Sequence, residues 1–348
     1  MVDFKDAPAR YGRVRLPALL ACALLVGCVD TPDAQPSPEP TASTPIDLDG
    51  ERALTHLEAI AKGHPRRNGA YPAELEAART FLEGALTDAG VEAARAEYSP
   101  SGTNVLGFIR GTARPQEWVV LSCHYDTQDN TIEGARDDAI GCAALLELAA
   151  GFAIRPLSRT LVFAFFDEEE KGLIGSRAFV EEHLADPDIK LAANINLDPA
   201  GLHWPCGDAA GPYPVRLFIT EDKIGPVPGY AELLESVRNG LAEAEVPDEL
   251  VEVGTRYAYV RAGESEFLPP GSDDDSFDAS DIPSVWMGAP PRDEVGPIGV
   301  WSYPNHTPAD TVESLYARCG DRATMGEGLR VSMVATAHAL VAFDAYGP

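Results

Sequence analysis

The sequence predicts an α/β protein built as a three-layer sandwich, with a central mixed, mostly parallel sheet and helices on both faces. Three observations carry that reading. Strand-like and helix-like stretches alternate along one core. Two of the strand-like stretches, residues 118–122 and 160–166, are continuous apolar runs of the kind found in strands covered on both sides. Both lead into polar clusters, His124-Tyr125-Asp126 and Asp167-Glu168-Glu169-Glu170. Ligands of open α/β sheets bind beyond the carboxyl ends of the strands, so each cluster falls where a site belongs.

The elements follow in order. Residues 48–63 place Ala53, Leu54, Leu57, Ile60 and Ala61 at helical spacing and stop at Gly63. A loop, His64-Pro65-Arg66-Arg67-Asn68-Gly69, precedes a second amphipathic helix over 72–90, through Leu75, Ala78, Phe81, Leu82 and Leu86 to Gly90. Glycine and proline punctuation separates three strands at 91–97, 104–110 and 118–122, the first two a candidate hairpin at the sheet edge. The helix over 139–152 is apolar on nearly every face, which places it deep against the sheet. After the strand at 160–166 come a helix at 175–184 and a strand at 191–197 that ends in Asp198. A Gly- and Pro-rich excursion at 199–214 carries His203, Trp204 and Cys206. A helix at 229–244, a strand at 282–287, a loop at 288–305 and a terminal helix over 312–346 complete the domain, with no internal repeat and no second core.

With 348 residues, 45% of them hydrophobic, the composition is globular. Residues 1–27 differ: Lys5, Arg10, Arg13 and Arg15 precede an apolar run too short to span a bilayer, the proportions of a signal peptide. Leu25-Val26-Gly27-Cys28 resembles a bacterial lipobox, in which Cys28 is the lipidated residue. Residues 28–46, rich in Pro, Ser and Thr, read as a tether, and 47–348 as the functional domain. The expectation is an exported protein, lipid-anchored to a bacterial membrane and facing the periplasm or cell surface. The net charge is −28, and the leader is its basic part. So acidic a surface argues against a nucleic-acid partner. Apart from Cys22 and Cys28, the remaining Cys123, Cys142, Cys206 and Cys319 form an even set that permits disulfides in an exported chain.

The acidic clusters need a cation. His124 and Asp126 are two apart on an extended segment and point the same way; Glu169 and Glu170 are adjacent and diverge. One of the glutamates can then bind a metal while the other stands over water. So many carboxylates in one place repel unless a divalent ion, or a pair sharing a carboxylate, compensates them. Mixed imidazole and carboxylate ligation suits zinc with a position kept for water.

Five motifs in order give a resemblance over about residues 47–345. They are His124-x-Asp126, Gly134-Ala135-x-Asp137-Asp138, the run Glu169 to Ser176, Asp198 ending a strand, and His306-Thr-x-x-Asp-Thr. The chain resembles the co-catalytic zinc aminopeptidases, whose superfamily also contains the glutaminyl cyclases. The resemblance implies two Zn²⁺ per chain, bridged by Asp137, with His124 and Asp198 completing one site and Glu170 and His306 the other. It implies that Asp126 orients His124, that Glu169 is the general base, and that the substrates are peptides with a free N-terminus.

Departures remain. The tyrosine that such aminopeptidases often carry before the final histidine is here Asn305, which leaves Tyr303 or Asn305 to contact substrate. A pocket histidine is replaced by Asp274 in Ser272-Asp273-Asp274, with Asp273 expected at the pocket wall. Cys123 and Cys142 match the cysteines that animal glutaminyl cyclases join, so the resemblance implies a Cys123–Cys142 bridge. The alternatives are therefore a glutaminyl-peptide cyclotransferase with a single zinc, disfavoured by the uninterrupted Glu169-Glu170-Lys171-Gly172-Leu173, and a non-catalytic member of the fold. His56, His183 and His338 read as packing or surface residues, and His64 and His203 as loop residues away from substrate.

Overall fold

The computed structural model describes residues 46–209, 211–255, 271–288 and 306–346. The leader, Cys28, nearly all of the tether, Tyr303 and Asn305 lie outside the described residues. Helix α1 (Gly50–Ala61) begins where the Asp49 carboxylate accepts the Glu51 and Arg52 N–H groups, and it buries the apolar stripe read from the sequence. Helix α2 (Pro72–Asp88) starts on a proline, whose missing N–H costs nothing there. Strands β1 (Glu92–Glu97) and β2 (Thr103–Ile109) form the antiparallel edge hairpin. Strand β3 (Arg114–His124) is longer than the apolar run that announced it. Helix α3 (Ile140–Ala153), buried almost throughout, crosses to strand β4 (Arg159–Phe166). Helix α4 (Ile174–Leu184) leads to strand β5 (Lys190–Leu197).

Beyond β5 the helix expected at 229–244 is present, and the structure adds strands around it that the sequence did not announce. A two-residue ladder of β6 (Gly207–Asp208) and β7 (Gly211–Pro212) is followed by strand β8 (Val215–Ile219), helix α5 (Tyr230–Glu243) and strand β9 (Val251–Thr255). The acidic stretch after Asp273, where no helix is read from the sequence, forms a short one, α6 (Asp274–Asp278), before strand β10 (Ser284–Met287). The terminal helix is two, α7 (Val312–Cys319) and α8 (Arg322–Ala345). They part at Gly320, whose φ of +101° favours glycine, and Asp321 then caps α8 by accepting the Thr324 N–H.

The main sheet has the order β1-β2-β4-β3-β5-β10-β8-β9. The four strands β4, β3, β5 and β10 run parallel, while β1/β2, β2/β4 and β10/β8 are antiparallel joins. Alternation separates the faces. Trp118, Val120, Val162, Ala164 and Phe166 pack with Phe179, Val180 and Phe277 of α4 and α6. Helix α3 contacts β2, β3 and β4 without joining that cluster, so it covers the other face. The three parallel strands β4, β3 and β5 lie side by side and end together at Phe166, His124 and Leu197, which gathers the polar residues following them at one rim.

The cysteine pairing differs from expectation. Cys123 and Cys142 are buried free thiols with Sγ atoms 2.9 Å apart, well beyond the roughly 2.05 Å of a disulfide. The Cys142 thiol instead donates to the His124 carbonyl at 3.2 Å, and burial raises the Cys123 pKa, which keeps that thiol protonated. The bridge is Cys206–Cys319, joining the loop after Asp198 to the end of α7.

The same loop is pinned to α8 by His203. Its Nδ1 faces the Trp204 carbonyl at 2.9 Å, so that nitrogen holds the proton, and Nε2 accepts from the Ser332 hydroxyl at 2.6 Å. Burial lowers the His203 pKa to about 4, against the carbonyl, which raises it. The unfolded chain therefore takes up this proton near pH 6.5 and the folded one only near pH 4. Stability falls as the pH drops through that window, by at most about 3 kcal/mol from this residue. His203→Gln is expected to flatten that part of the pH–stability curve in denaturant melts between pH 7 and 4. An unchanged slope would show that His203 is not the group responsible.

Candidate metal centre

Four segments meet at the rim. His124 ends β3; Asp137 follows the left-handed Gly134; Glu169 and Glu170 follow β4; Asp198 follows β5. His306 arrives from the segment before α7 with φ +56°, a left-handed conformation that non-glycine residues adopt mostly where surrounding contacts demand it. Among the described residues two ligand sets form, His124/Asp137/Asp198 and Asp137/Glu170/His306, each with its ligand atoms within 4.8 Å of one another. Asp137 belongs to both. Its Oδ1 lies 2.9 Å from His124 Nε2 and its Oδ2 2.9 Å from His306 Nε2. His124 Nε2 is 3.8 Å from Asp198 Oδ2, and His306 Nε2 is 3.3 Å from Glu170 Oε2. Zinc binds such atoms at about 2.0–2.2 Å, so two ligands of one ion can stand up to about 4.4 Å apart, and all four separations comply. Asp137 Oδ2 makes no directed hydrogen bond despite the nearby imidazole, as expected of two donors that face a common centre. The residues present therefore fit zinc.

The electrostatics say the same. Burial raises Glu170 to about 8, with the Asp137 charge adding to it, and burial likewise lifts Glu169, Asp198 and Asp273. Burial also pushes Asp137 upward, but the imidazoles of His124 and His306 beside it outweigh that and hold this carboxyl below the usual range. The Asp137 carboxylate 2.9 Å from its Nε2 raises His306 to about 9. A divalent cation relieves this arrangement directly, since it is the largest local charge such a site can acquire.

Asp126 stands 3.3 Å from His124 Nδ1, and it also accepts the Glu169 and Glu170 N–H groups at 3.1 and 3.3 Å. One carboxylate thus ties the end of β3 to the turn after β4. Asp273 is fully buried at the start of α6, where its charge acts on His124, Asp126 and Asp198; it is not on an open pocket wall. Asp138 accepts the Gly141 N–H at 3.1 Å and so starts α3. Asp167 is an anchor behind the site, paired with Arg79 at 2.6 Å and accepting the Thr103 N–H.

Two contributors went unread in the sequence. Asp310 accepts the N–H groups of Arg136 and Asp137 at 3.0 and 3.3 Å and so fixes the bridging residue; its place inside the His306–Thr311 motif was the available signal. Arg67, in what looked like a plain loop, is fully buried. It donates to the carbonyls of Tyr125 and Glu133 at 2.7 Å and of His64 and Gly134 at 3.1 Å.

Residues 104–325 match the model of a family described as Peptidase family M28. A probable zinc metalloprotease of Pyrenophora teres f. teres is 35% identical over 123 residues, 33% of this chain and 26% of that protein. Aminopeptidase NAALADL1 of Mus musculus is 36% identical over 105 residues, 28% of this chain and 14% of that protein. The chain thus spans about a quarter or less of the length of these curated relatives. Among solved structures, the LapA aminopeptidase of Legionella pneumophila aligns with a TM-score of 0.59 at 17% identity, over 86% of this chain and 71% of that one. A glutaminyl cyclase of Porphyromonas gingivalis aligns with a TM-score of 0.59 at 18% identity, over 83% and 98%. At such identities the likeness establishes the fold.

Proposed function

The chain belongs to peptidase family M28, and from that premise we propose that it is an aminopeptidase that holds two zinc ions and hydrolyses the N-terminal peptide bond of peptides. The observation that carries the reading is Asp137, one carboxylate with an oxygen 2.9 Å from an imidazole on either side, each in its own ligand set. His124, Asp137 and Asp198 would hold one ion, and Asp137, Glu170 and His306 the other. Zinc supplies Lewis acidity and lowers the pKa of a coordinated water. The protein's own part is to hold that geometry and to move the proton. Asp126 keeps His124 oriented and sets the backbone of Glu169 and Glu170. Glu169, outside both ligand sets, takes a proton from the attacking water and returns it to the leaving amine.

The competing reading is a glutaminyl cyclase with one zinc. Fold likeness does not separate the two, because a single architecture carries both activities. The second ligand set around Asp198 favours the peptidase. Purified protein is expected to carry two zinc equivalents and to release the chromophore from an aminoacyl substrate; a chelator should abolish the release and added zinc restore it. One equivalent together with cyclisation of an N-terminal glutamine peptide would establish the cyclase, and no bound metal would leave a non-catalytic member of the fold.

A further inference from the structure

Parallel central strands are usually apolar throughout, yet on the α4/α6 side of this sheet Asn194, Asn196 and Ser122 are fully buried. Burying such groups is costly unless each is hydrogen-bonded. They lie in register, Ser122 opposite Asn196 and Val120 opposite Asn194, and their hydrogen bonds run on to Ser272 and Asp198 at the rim. The contacts run in sequence: Asn194 Nδ2 to Ser122 Oγ at 2.9 Å, Ser122 Oγ to Asn196 Oδ1 at 2.7 Å, Asn196 Nδ2 to Ser272 Oγ at 2.7 Å, and Ser272 Oγ to Asp198 Oδ2 at 2.6 Å.

The direction of this chain follows from its last member. An ionised carboxylate only accepts, so Asp198 claims the one hydroxyl proton of Ser272. Ser272 can then only accept, which turns the Asn196 NH₂ toward it and the Asn196 carbonyl toward Ser122. Ser122 gives its proton to that carbonyl and accepts in turn from Asn194. No amide can flip without leaving two acceptors, or two donors, face to face.

We propose that Ser272, backed by Asn196, Ser122 and Asn194, positions the Asp198 carboxylate as a ligand of its ion. The device holds the carboxylate's rotation so that Oδ2 stays 3.8 Å from His124 Nε2, with the far end of the chain anchored in the sheet. The proposal rests on the reading of Asp198 as a ligand. It makes Ser272 a positioning residue whose effect falls on one ion of the pair, because the hydrogen-bonded series ends at Asp198, which belongs to the His124/Asp137/Asp198 set and not to the other.

The test is a zinc titration of metal-free protein by calorimetry and by competition with a chromophoric chelator. Wild type is expected to bind two ions. Ser272→Ala is expected to weaken one of them by about 10–100-fold and leave the other unchanged. Ser272→Thr, which keeps the hydroxyl, should restore it. Ser122→Ala, farther from the site and milder for folding, should weaken the same ion by a smaller factor. Wild type binding two ions and both alanine variants binding both as tightly would overturn the positioning role alone, as would an equal loss at both ions or a threonine variant no better than alanine. Wild type binding fewer than two ions would instead overturn the two-ion reading, and this inference with it.

Discussion

Glu169→Gln is expected to lower kcat on an aminoacyl substrate by about 10²–10⁴-fold while zinc content and KM stay close to wild type. Glu169 sits in neither ligand set, so its loss removes no bond to metal. Its backbone is fixed by the hydrogen bond to Asp126 at 3.1 Å, and glutamine, of the same shape, keeps that bond. What glutamine cannot do is carry a proton. Burial lifts the Glu169 pKa well above the ordinary carboxylate range, and the neighbouring charges of Asp273, Asp198 and Glu170 add to it against the opposing pull of His124. Cations bound at the adjacent ligand sets would bring it back toward neutrality, where a base that must accept a proton and give it up works best. Single-turnover kinetics with metal analysis of the same sample decide the matter. A variant with near-wild-type kcat, or one that has lost its zinc, would remove Glu169 from the role of base.

Arg67→Ala is expected to cost about 3–5 kcal/mol of stability, the range of losses when a buried charged network is broken. Five carbonyls from four segments converge on this guanidinium: Ile60 from α1, His64 from its own loop, Tyr125 from the end of β3, and Glu133 and Gly134 from the approach to Asp137. Removing it strands those acceptors without water, each at a penalty of about 1–3 kcal/mol before relaxation. In a chain of this size the melting temperature should fall by roughly 10 °C. Arg67→Lys should recover only part of it, because an ammonium offers three donors from one point where the fork of a guanidinium spans several. A fall of only a degree or two in the alanine variant would show that the carbonyls find other partners.

The parts of this protein that announced themselves are those with periodicity or ligand chemistry. Leu54, Leu57 and Ile60 repeat at helical spacing and bury as α1; the apolar run from Thr160 to Phe166 is β4; and the five motifs lie where three parallel strands end. Strand β8 was missed because five residues, Val215–Ile219, carry too little pattern beside a Gly- and Pro-rich loop. Strand β9 was missed because its edge position tolerates Glu252 and Gly254. The break at Gly320 hid inside a continuous helical pattern, since glycine is also tolerated within helices. The cysteine pairing was misread for a different reason. Likeness in sequence brought Cys123 beside Cys142 correctly, at 2.9 Å, but whether two neighbouring sulfurs bond depends on geometry and protonation that no spacing records. Arg67 illustrates the general difficulty: a buried arginine is legible only once the carbonyls it serves have been brought together by the rest of the chain.

The covalent link between Cys206 and Cys319 ties the stretch that trails Asp198 to the helix that trails His306, so the two ends of the metal centre are moored to each other whether or not ions are present. Chelation would then leave the halves of an emptied cradle within reach, ready to reload instead of drifting apart. Conditions that keep thiols reduced would deny the chain this mooring, and oxidising ones would restore it.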